Sequence, residues 1–526
     1  MKIFKQGTSL NKIVFWPPFL LPFAAVALSF INEAAFAAVM NNTYAWIANN
    51  FDWLFSILAL FFVLICVIIF ISPIGKVRFG GKDAKPRYSF LVWFAMSLCG
   101  GIAIGITFWG VAEPVTHMMA PPAGIQPGSP EAIVFSMSSV FLHWSFTPYS
   151  FFAICSVAIA LAAYNYGQKM TISSGLYFLI GDKCNGIIGK VVDAICLFAL
   201  AGSISTSLGT GVMQISSGLQ SVFGVNPSIF IWLIVDIVIV GGFLTSSMLG
   251  VDKGIKWLSN QNLKFYIILM LFIFIFGPTA YICQIGVEGI GAYLGTFFEK
   301  SAFLGAAVGD NSWSHSWTTY YWAWWLGAAP VVGVFLARLC YGRTIREFLA
   351  VNFIGPSVFG ILWFSIMGGT AIDMQHSGAF DIWGAIQTYG MESAVFQFLA
   401  QFPLGLLLSI FFLIISAASF ITMADSMTYV AAVMSTNGMR NEEEPPQLMK
   451  AIWGLTMGSL AWVMICFAGI VGTKMLPVVA AFPLLLVVFA LGCSIIRGLY
   501  SENGKQGIPI KINFSAKEEK AKRLIK

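Results

Sequence analysis

Long apolar runs alternate with short polar connections along almost the whole of this 526-residue chain. An α-helix needs about twenty apolar residues to cross the roughly 30 Å hydrocarbon core of a bilayer. About twelve runs reach that length, and several exceed it, so tilted or bent helices are expected. The predicted spans are 14–36, 52–72, 89–112, 132–163, 187–220, 227–248, 263–283, 316–340, 349–369, 396–434, 450–471 and 475–498.

The composition supports lipid as the solvent. Of the residues, 58% are hydrophobic and only 10% are charged, whereas soluble domains carry about 25% charged residues. The nine cysteines are scattered singly and are predicted to be small buried side chains. The four histidines form no cluster in sequence with cysteines or carboxylates, so we predict no metal site, no cofactor and no catalytic residue. The fold class predicted is an all-α polytopic membrane protein.

Basic residues set the orientation of the predicted spans. Of 29 lysines and arginines, 27 lie in the N-terminal segment, in or beside the even-numbered connections, or in the C-terminal segment. The two exceptions are Lys300 and Lys474. The positive-inside rule therefore places both termini in the cytoplasm, with the first apolar run retained as a helix. The net charge of +6 then reflects topology, and we expect no nucleic-acid partner.

Two predicted spans contain helix-breaking residues. The third span holds Gly100, Gly101 and Gly105 and then Glu113-Pro114, and the eighth holds Gly327-Ala328-Ala329-Pro330. Because interrupted segments at corresponding places mark repeats in transporters, this offset of five spans predicts an inverted repeat. Glycines that only allow close helix packing are the alternative. The predicted divisions are 1–88 with two peripheral spans, 89–283, an outer surface segment 284–315, 316–498, and a basic cytoplasmic tail 499–526.

Aromatic residues are concentrated in spans 4 and 8. Span 4 contains His143-Trp144 and then Pro148-Tyr149, and positions 317–325 of span 8 hold six Trp or Tyr residues. An aromatic belt at the membrane surface would account for Trp313, Trp317 and Tyr320. Trp324 and Trp325 precede the predicted break at mid-span, where indole faces would suit a methylated cation at about 0.5–2 kcal/mol per ring.

Several motifs together resemble the betaine/carnitine/choline transporter family over nearly the whole chain. They are Gly101-Ile102-Ala103-Ile104-Gly105, Phe108-Trp109-Gly110-Val111-Ala112-Glu113-Pro114, His143-Trp144 with Pro148, Trp322-Ala323-Trp324-Trp325, Phe335-Leu336-Ala337-Arg338 and Gly342-Arg343-Thr344-Ile345-Arg346-Glu347-Phe348. The resemblance implies the inverted five-helix repeat of sodium-coupled amino-acid symporters and a homotrimer in the bacterial inner membrane. It also implies secondary transport by alternating access of a small zwitterion of the glycine betaine, carnitine and choline class.

The resemblance also implies a substrate site. Family members form an aromatic box between spans 4 and 8, and this chain has Tyr149, Phe152 and Ala328 where the family has larger or different aromatic residues. We therefore expect a rebuilt box that takes a substrate somewhat larger or less strictly quaternary than glycine betaine. The candidate substrate-binding residues are Trp144, Tyr149, Phe152, Trp322, Trp324, Trp325, Gly101, Ala103, Gly105 and Trp109.

The family's sodium sites look altered in this chain. Hydroxyl positions on span 5 correspond to Leu200 and Ile204, although Ser203, Ser205 and Thr206 are close by. A Thr-Ser pair of span 10 corresponds to Thr422-Met423. A thioether is a poor ligand for a hard cation, so transport is predicted to be independent of sodium.

Acidic residues inside the predicted spans are the remaining candidates for coupling or gating. Charge in a membrane is costly, so Glu113, Asp236 and Asp425 are functional candidates by position. For Glu113 and Asp425, which with Thr422, Met423 and Ala328 form the predicted coupling and gate set, a structural role stays open beside proton coupling. Arg338, Arg343 and Arg346 are predicted to pair with acids at the inner face.

Other functions remain open at this point. A proton- or sodium-coupled symporter of a different zwitterion is the nearest alternative. A channel is disfavoured because no span repeats a polar stripe, and a membrane enzyme because the histidines are isolated in sequence. A basic tail is compatible with an osmosensing protein, but the predicted topology alone also requires one.

Overall fold

The computed structural model describes residues 8–101, 103–249, 254, 256–439 and 443–505. Those residues form one helical bundle with a single two-stranded sheet among them. Its antiparallel strands are β1 (Ser9–Leu10) and β2 (Thr436–Asn437), with Ser9 opposite Asn437 and Leu10 opposite Thr436. The pairing ties the start of the described chain to the end of a long helix near residue 434.

The first half of the described chain is built of eleven α-helices. They are α1 Lys12–Ile31, α2 Glu33–Ile71, α3 Phe90–Gly101, α4 Ala103–Met119, α5 Pro130–Trp144, α6 Phe146–Tyr166, α7 Tyr177–Ile180, α8 Ile187–Phe223, α9 Ile229–Leu249, α10 Lys256–Phe276 and α11 Thr279–Gly295.

The second half of the described chain has another eleven α-helices. They are α12 Phe297–Ser301, α13 Ser312–Ser314, α14 Tyr320–Leu339, α15 Ile345–Leu349, α16 Gly355–Trp363, α17 Gly369–Ser377, α18 Ile382–Tyr389, α19 Ala394–Leu399, α20 Gly405–Met434, α21 Gln447–Ala481 and α22 Leu484–Lys505. Wide π-type turns at 315–319, 350–354 and 364–368 join α13 to α14 and α15 through α17 into two longer helical runs.

Membrane-spanning length is reached ten times in the described part of the chain. The ten helices or joined runs are 34–71, 130–166, 187–223, 229–248, 256–276, 312–339, 345–377, 405–434, 447–466 and 484–501. The other two predicted spans coincide with shorter apolar helices, Lys12–Ala24 and Phe90–Cys99. The prediction of an all-α polytopic membrane protein is confirmed. All nine cysteines are free, and six of them are buried.

Span 4 is bent, which the sequence analysis did not predict. α5 ends at Trp144 and α6 begins at Phe146, with Ser145 between them at φ −125° and ψ −125°. Pro148 explains the bend, because proline has no amide N–H to give to the carbonyl four residues earlier, and its ring clashes with that carbonyl. That carbonyl belongs to Trp144, and the absent side chain of Gly360 makes room for it: a Cβ there would lie 2.3 Å from the Trp144 oxygen.

The predicted break in span 8 is wrong. α14 runs without interruption from Tyr320 to Leu339 and contains Pro330. Gly327 serves close packing instead, since a Cβ at that position would lie 2.0 Å from the Ser203 hydroxyl on α8. The alternative interpretation of glycine as a packing residue therefore applies to span 8. In span 3, α3 and α4 meet at Ile102, which lies outside the described residues.

Three further segments differ from the predictions. The connection between spans 11 and 12 lies at 482–483, after the end of α21, so Lys474 falls within a helix rather than in a connection. The outer segment predicted at the membrane surface contains α11 and α12, and Tyr293 within it is fully buried with its hydroxyl 3.1 Å from the Ser145 hydroxyl. The tail predicted from 499 begins inside α22, and its residues 506–526 lie outside the described part.

Candidate functional site

Trp325 lies at the centre of a cluster of aromatic rings. Its ring centroid is 5.5 Å from Trp144, 5.4 Å from Tyr149, 5.2 Å from Phe152 and 5.5 Å from Trp324. These five residues are called the aromatic box below. The bend of span 4 makes the cluster possible, because Trp144 ends α5 while Tyr149 and Phe152 lie in the first turns of α6. Trp324 and Trp325 approach from α14.

The rings of the aromatic box meet mostly edge to face. Trp325 is inclined by 72° to Trp144 and by 74° to Tyr149, and Trp144 is inclined by 68° to Trp324. Such pairs are favourable because the positive edge of one ring meets the negative face of another. The same negative faces attract a cation, most strongly those of tryptophan. These ring types are therefore the ones that a methylated ammonium group prefers.

Two polar groups of the aromatic box have no partner among the described residues. They are the hydroxyl of Tyr149 and the indole N–H of Trp325, both buried. The indole N–H of Trp324, in contrast, donates to the Ser207 hydroxyl at 3.1 Å. A buried donor without an acceptor costs about 1–3 kcal/mol. A ligand that brings an acceptor, such as a carboxylate, would satisfy these groups.

Gly105 of α4 forms a close wall of the aromatic box. A Cβ at Gly105 would lie 2.1 Å from Cη2 of Trp144 and 2.9 Å from Cη2 of Trp324. Only a residue without a side chain lets both indoles occupy their positions. Gly101 and Ala103 end α3 and begin α4, and their surroundings lie outside what the structure describes.

Three other predicted residues lie outside the aromatic box or at its margin. The ring of Trp109 contacts Trp317 and Tyr321 at 5.5 and 6.0 Å, and Tyr321 in turn contacts Trp144 of the box. Trp322 is fully buried, and its ring neighbours are His143 and Phe151 at 5.8 and 5.9 Å. The structure does not bring Trp322 into the box. Ala328 is half-buried, one helical turn after Trp324.

Glu113 is the centre of a buried polar cluster beside the aromatic box. Its Oε2 accepts the indole N–H of Trp144 and the hydroxyl of Tyr321, both at 2.6 Å. Its Oε1 lies 2.8 Å from Nδ1 of His143 and 3.1 Å from Nε2 of His117. Glu113, His117 and His143 are all fully buried. Glu113 thus takes up to four hydrogen bonds, which compensate the cost of burying a carboxylate.

The prediction that the histidines are isolated is wrong. His117 follows Glu113 by one helical turn, and His143 directly precedes Trp144, so spacing along α4 and α5 carried the signal. Nε2 of His143 lies 3.2 Å from the Thr318 hydroxyl, whereas Nδ1 of His117 has no partner among the described residues. The ligand atoms of the three residues lie within 4.8 Å of one another, close enough for metal coordination, although hydrogen bonding to Glu113 is sufficient to hold them.

The surface-belt interpretation fails for two aromatic residues. Trp317 and Tyr320 are 6% and 3% exposed, and both lie inside the protein. Trp317 packs against His117 with ring centroids 4.5 Å apart. The aromatic residues at the start of the α14 run therefore enclose the Glu113 cluster.

Asp425 lies in a different environment from Glu113. Its Oδ2 accepts the hydroxyl of Ser246, and its Oδ1 is buried without a partner among the described residues. Lys450 is electrostatically close to it but donates to the Ser247 carbonyl and to Glu444, each at 2.9 Å. The buried Oδ1 of Asp236 also lacks a described partner.

The arginines after α14 make mostly backbone contacts. Arg343 forms an ion pair with Glu347 at 3.7 Å, as predicted. Arg346 donates to the carbonyls of Phe70 and Ser72, and Arg338 donates to the carbonyl of Glu443. For Arg338 and Arg346 the predicted pairing with acids is not present among the described residues, because carbonyls at the ends of neighbouring helices take their N–H groups.

The positions predicted to correspond to the family's sodium sites are apolar or engaged. Leu200 and Ile204 are buried on α8. The Thr422 hydroxyl donates within its own helix to the Ala418 carbonyl at 2.7 Å, and Met423 is buried beside it. Ser203 and Thr206 retain buried hydroxyls without a partner among the described residues.

Lys300 on α12 lies at the end of α5 away from the bend. Its Nζ donates to the Ser139 hydroxyl at 2.9 Å and to the Phe135 carbonyl at 3.3 Å, and it lies 3.9 Å from the centroid of the Phe135 ring. Burial lowers the pKa of Lys300 from 10.5 to about 7, although nearby Glu299 opposes that change. This lysine is therefore a titrating group near neutral pH.

Comparisons with known proteins agree with the geometry. A family model described as betaine/carnitine/choline family transporter matches residues 13–504. The chain is 36% identical over 491 residues to the glycine betaine transporter OpuD of Bacillus subtilis (strain 168), covering 93% of this chain and 94% of that protein. It is 35% identical to a probable glycine betaine transporter of Desulfitobacterium hafniense (strain Y51), covering 91% and 97%. It is 32% identical to an ectoine/hydroxyectoine transporter of Virgibacillus pantothenticus, covering 94% and 97%.

Proposed function

The chain belongs to the betaine/carnitine/choline transporter family, and we propose that it moves a betaine-like zwitterion across the bacterial inner membrane by alternating access. It is a multi-pass membrane transport protein rather than an enzyme. The inverted repeat of spans 3–7 and 8–12, the homotrimer and the cytoplasmic location of both termini belong to the same proposal.

The arrangement of the aromatic box carries this proposal. Four rings surround Trp325 within 5.5 Å between centroids, which suits a methylated ammonium group. The Trp325 N–H and the Tyr149 hydroxyl are buried and unpartnered among the described residues, which suits a carboxylate on the same molecule. A single small zwitterion offers both groups.

Glycine betaine is the first substrate to test, because the relatives named above include glycine betaine transporters. Carnitine and choline are quaternary ammonium compounds like glycine betaine. Ectoine is included because one of the relatives named above is an ectoine/hydroxyectoine transporter. Tyr149 and Phe152 in the box leave a hydroxyl and an apolar edge where the family has other aromatic residues. We propose that this change favours a substrate that is larger or less strictly quaternary than glycine betaine.

Sodium independence is part of the proposal. Leu200 and Ile204 offer no oxygen ligand, and Met423 presents a thioether beside a Thr422 hydroxyl that already donates to Ala418. Sodium prefers several oxygen ligands, so these positions are poorly suited to it. The hydroxyl oxygens of Ser203 and Thr206 are the groups that would bind sodium if transport were coupled to it.

Proton symport is the second candidate, and the Glu113 cluster favours it. Nδ1 of His117 is buried and has no described partner, so it is a place where a proton could be taken up beside a carboxylate. Glu113 also holds Trp144 of the aromatic box, so a change of charge there would reach the substrate. An osmosensing or channel-like protein is the alternative from another class, and the tail on which osmosensing would depend lies mostly outside the described residues.

Uptake into proteoliposomes tests the proposed function. Labelled glycine betaine, carnitine, choline and ectoine are offered with and without a sodium gradient, a proton gradient, and unlabelled substrate inside. Uptake of one of them without sodium is the expected result. Uptake that requires internal substrate identifies an exchanger, and uptake that requires a proton gradient identifies the symporter. Absence of uptake of all four by folded protein contradicts the proposal.

A further inference from the structure

A polar cavity lies at the end of the bundle where β1 and β2 pair, which the charge distribution predicts to be cytoplasmic. Its volume is about 60 Å³, enough for several waters or one small oxyanion, since one water needs about 10–15 Å³. The loop after α6, the start of α8, the end of α14 and the end of α20 supply its lining. The lining residues used below are Lys169, Lys190, Asp193, Arg338 and Asn437.

Arg338 is the least satisfied polar residue of this lining. Its Nη2 donates to the carbonyl of Glu443 at 3.2 Å, and its guanidinium lies 5.1 Å above the ring of Tyr429. Its Nη1 is buried and has no hydrogen-bond partner among the described residues. A charged N–H group left without an acceptor is costly, so an oxyanion in the cavity would stabilise it.

The charges of the lining favour an anion. Lys169, Lys190 and Arg338 contribute three cations, and Asp193 contributes the lining's one carboxylate. That carboxylate is already engaged, because its Oδ1 accepts the backbone N–H of Ser173 at 2.8 Å and its Oδ2 accepts the Ser173 hydroxyl at 2.9 Å. The described lining residues therefore carry a net positive charge, with Asp193 hydrogen-bonded to Ser173.

Two further polar groups of the lining act as donors within the protein. The Thr436 hydroxyl donates to the Ala432 carbonyl at 2.8 Å, and the amide of Asn437 donates to the Leu10 carbonyl at 3.4 Å. Two acids lie outside the lining but near it: Asp182 is close enough to Cys184 to act on it electrostatically, and the carbonyl of Glu443 accepts from Arg338.

We propose that this cavity binds an oxyanion, a carboxylate or a phosphate group, between Arg338 and the lysines of the α6–α8 region. Arg338 ends the helix that carries Trp324 and Trp325, and Lys190 lies in the first turn of the helix that carries Ser207, the partner of Trp324. A bound oxyanion links these two helices at one end of the bundle. Binding therefore stabilises the present arrangement of these two helices and opposes their separation.

Thermal unfolding in detergent with inorganic phosphate tests the site directly and does not depend on the transported substrate. Phosphate is added at constant ionic strength, with chloride as the balancing anion. A saturable rise of Tm is expected for the wild type, because a ligand that binds only the folded state stabilises it. The apparent phosphate affinity is expected to be at least tenfold weaker in Arg338→Gln and weaker in Lys190→Gln.

Lys183→Gln is the matched control, because Lys183 lies in the neighbouring 181–185 turn but not in the lining. Its phosphate response is expected to equal that of the wild type. If Arg338→Gln does not fold, the double variant Lys169→Gln, Lys190→Gln carries the test, since Lys169 is exposed and Lys190 is half-buried. An unchanged phosphate response in the lining variants contradicts the proposal.

A second arm distinguishes a free anion from a lipid headgroup. The wild type and Arg338→Gln are compared in nanodiscs of phosphatidylglycerol and of phosphatidylcholine. A Tm rise with inorganic phosphate identifies a soluble oxyanion, and a rise confined to phosphatidylglycerol identifies an anionic headgroup as the source. The Tm difference between the wild type and Arg338→Gln is compared with and without phosphate and in the two lipids. If that difference is the same under all these conditions, the proposed site is contradicted.

Discussion

Glu113 accepts the indole N–H of Trp144 at 2.6 Å, so the carboxylate at the centre of the histidine cluster also fixes one wall of the aromatic box. The same carboxylate oxygen accepts the Tyr321 hydroxyl and so holds the neighbouring ring on α14. Trp144 and Tyr321 in turn lie 5.3 Å apart between centroids. One buried negative charge therefore positions Trp144 of the box and its neighbour Tyr321 on α14, and adds to the potential that attracts a cation.

Neutralising Glu113 is expected to weaken substrate binding. In Glu113→Gln the N–H of Trp144 and the hydroxyl of Tyr321 lose a charged acceptor, and hydrogen bonds to charged groups contribute about 1.5–3 kcal/mol. We expect the affinity for glycine betaine to fall roughly tenfold to hundredfold by isothermal titration calorimetry. Glu288→Gln, at an exposed position of α11, is the control and should bind like the wild type. Wild-type affinity in Glu113→Gln would show that the charge does not act on the box.

Adding one methyl group at Gly105 is expected to disrupt the aromatic box. The new Cβ of Gly105→Ala would lie 2.1 Å from the Trp144 ring, so both indoles cannot keep their positions, and overpacking of this kind costs about 1–3 kcal/mol. We expect substrate affinity to fall at least tenfold. Gly241→Ala is the matched control, because a Cβ there has no neighbour within 4 Å. Equal binding by the two variants would mean that the substrate does not use this wall.

Replacing sodium by potassium is expected to leave uptake unchanged. The positions at Leu200, Ile204 and Met423 provide no oxygen ligand for sodium. Initial rates of uptake into proteoliposomes are measured with each cation on both sides at equal ionic strength. A strong dependence on sodium would contradict this prediction and would direct attention to the unpartnered hydroxyls of Ser203 and Thr206.

Lys300 is expected to make stability depend on pH. Burial holds the pKa of Lys300 near 7 in the folded protein, against 10.5 for an unperturbed lysine, so the unfolded chain binds more protons between these values. The free energy of unfolding therefore rises as the pH increases from about 7 toward 10, and below pH 7 this contribution is constant. Tm measured across that range should rise more in the wild type than in Lys300→Met, and Lys300→Met should be the more stable protein at pH 7.

The control for this prediction is Lys82→Met, which removes an exposed lysine. Its Tm should follow the wild type at every pH. If Lys300→Met shows the same pH profile as the wild type, the titration of Lys300 does not contribute to stability.

Much of the fold follows from hydropathy, because the cost of exposing backbone and charge to lipid leaves long apolar helices as the available structure. Local breaks were harder to predict. Pro148 bends span 4 while Pro330 leaves α14 continuous, and the sequence around each proline does not show which neighbouring helix accommodates the carbonyl that loses its donor. At Trp144 that neighbour is Gly360, more than 200 residues away in sequence.

Site residues were predicted correctly where a short sequence motif fixes their relative positions. They were missed where their positions depend on contacts between helices that are distant in sequence. The aromatic residues at 144, 149, 152, 324 and 325 meet as expected, since each set lies on one helix face or directly across the bend. Trp322 lies three positions before Trp325, about 60° around the helix, and its ring meets His143 and Phe151 instead of the box. The Glu113 cluster was missed because His143 reaches it from another helix.

The most direct test of the aromatic box is the affinity for glycine betaine, measured by isothermal titration calorimetry in Trp325→Leu and in Trp322→Leu. Both are tryptophans of α14, but only Trp325 contacts the other four rings of the box. Both variants are first shown to be monodisperse and folded at the temperature of measurement. The box predicts that Trp325→Leu loses at least tenfold in affinity while Trp322→Leu stays close to the wild type. Wild-type affinity in folded Trp325→Leu would contradict it.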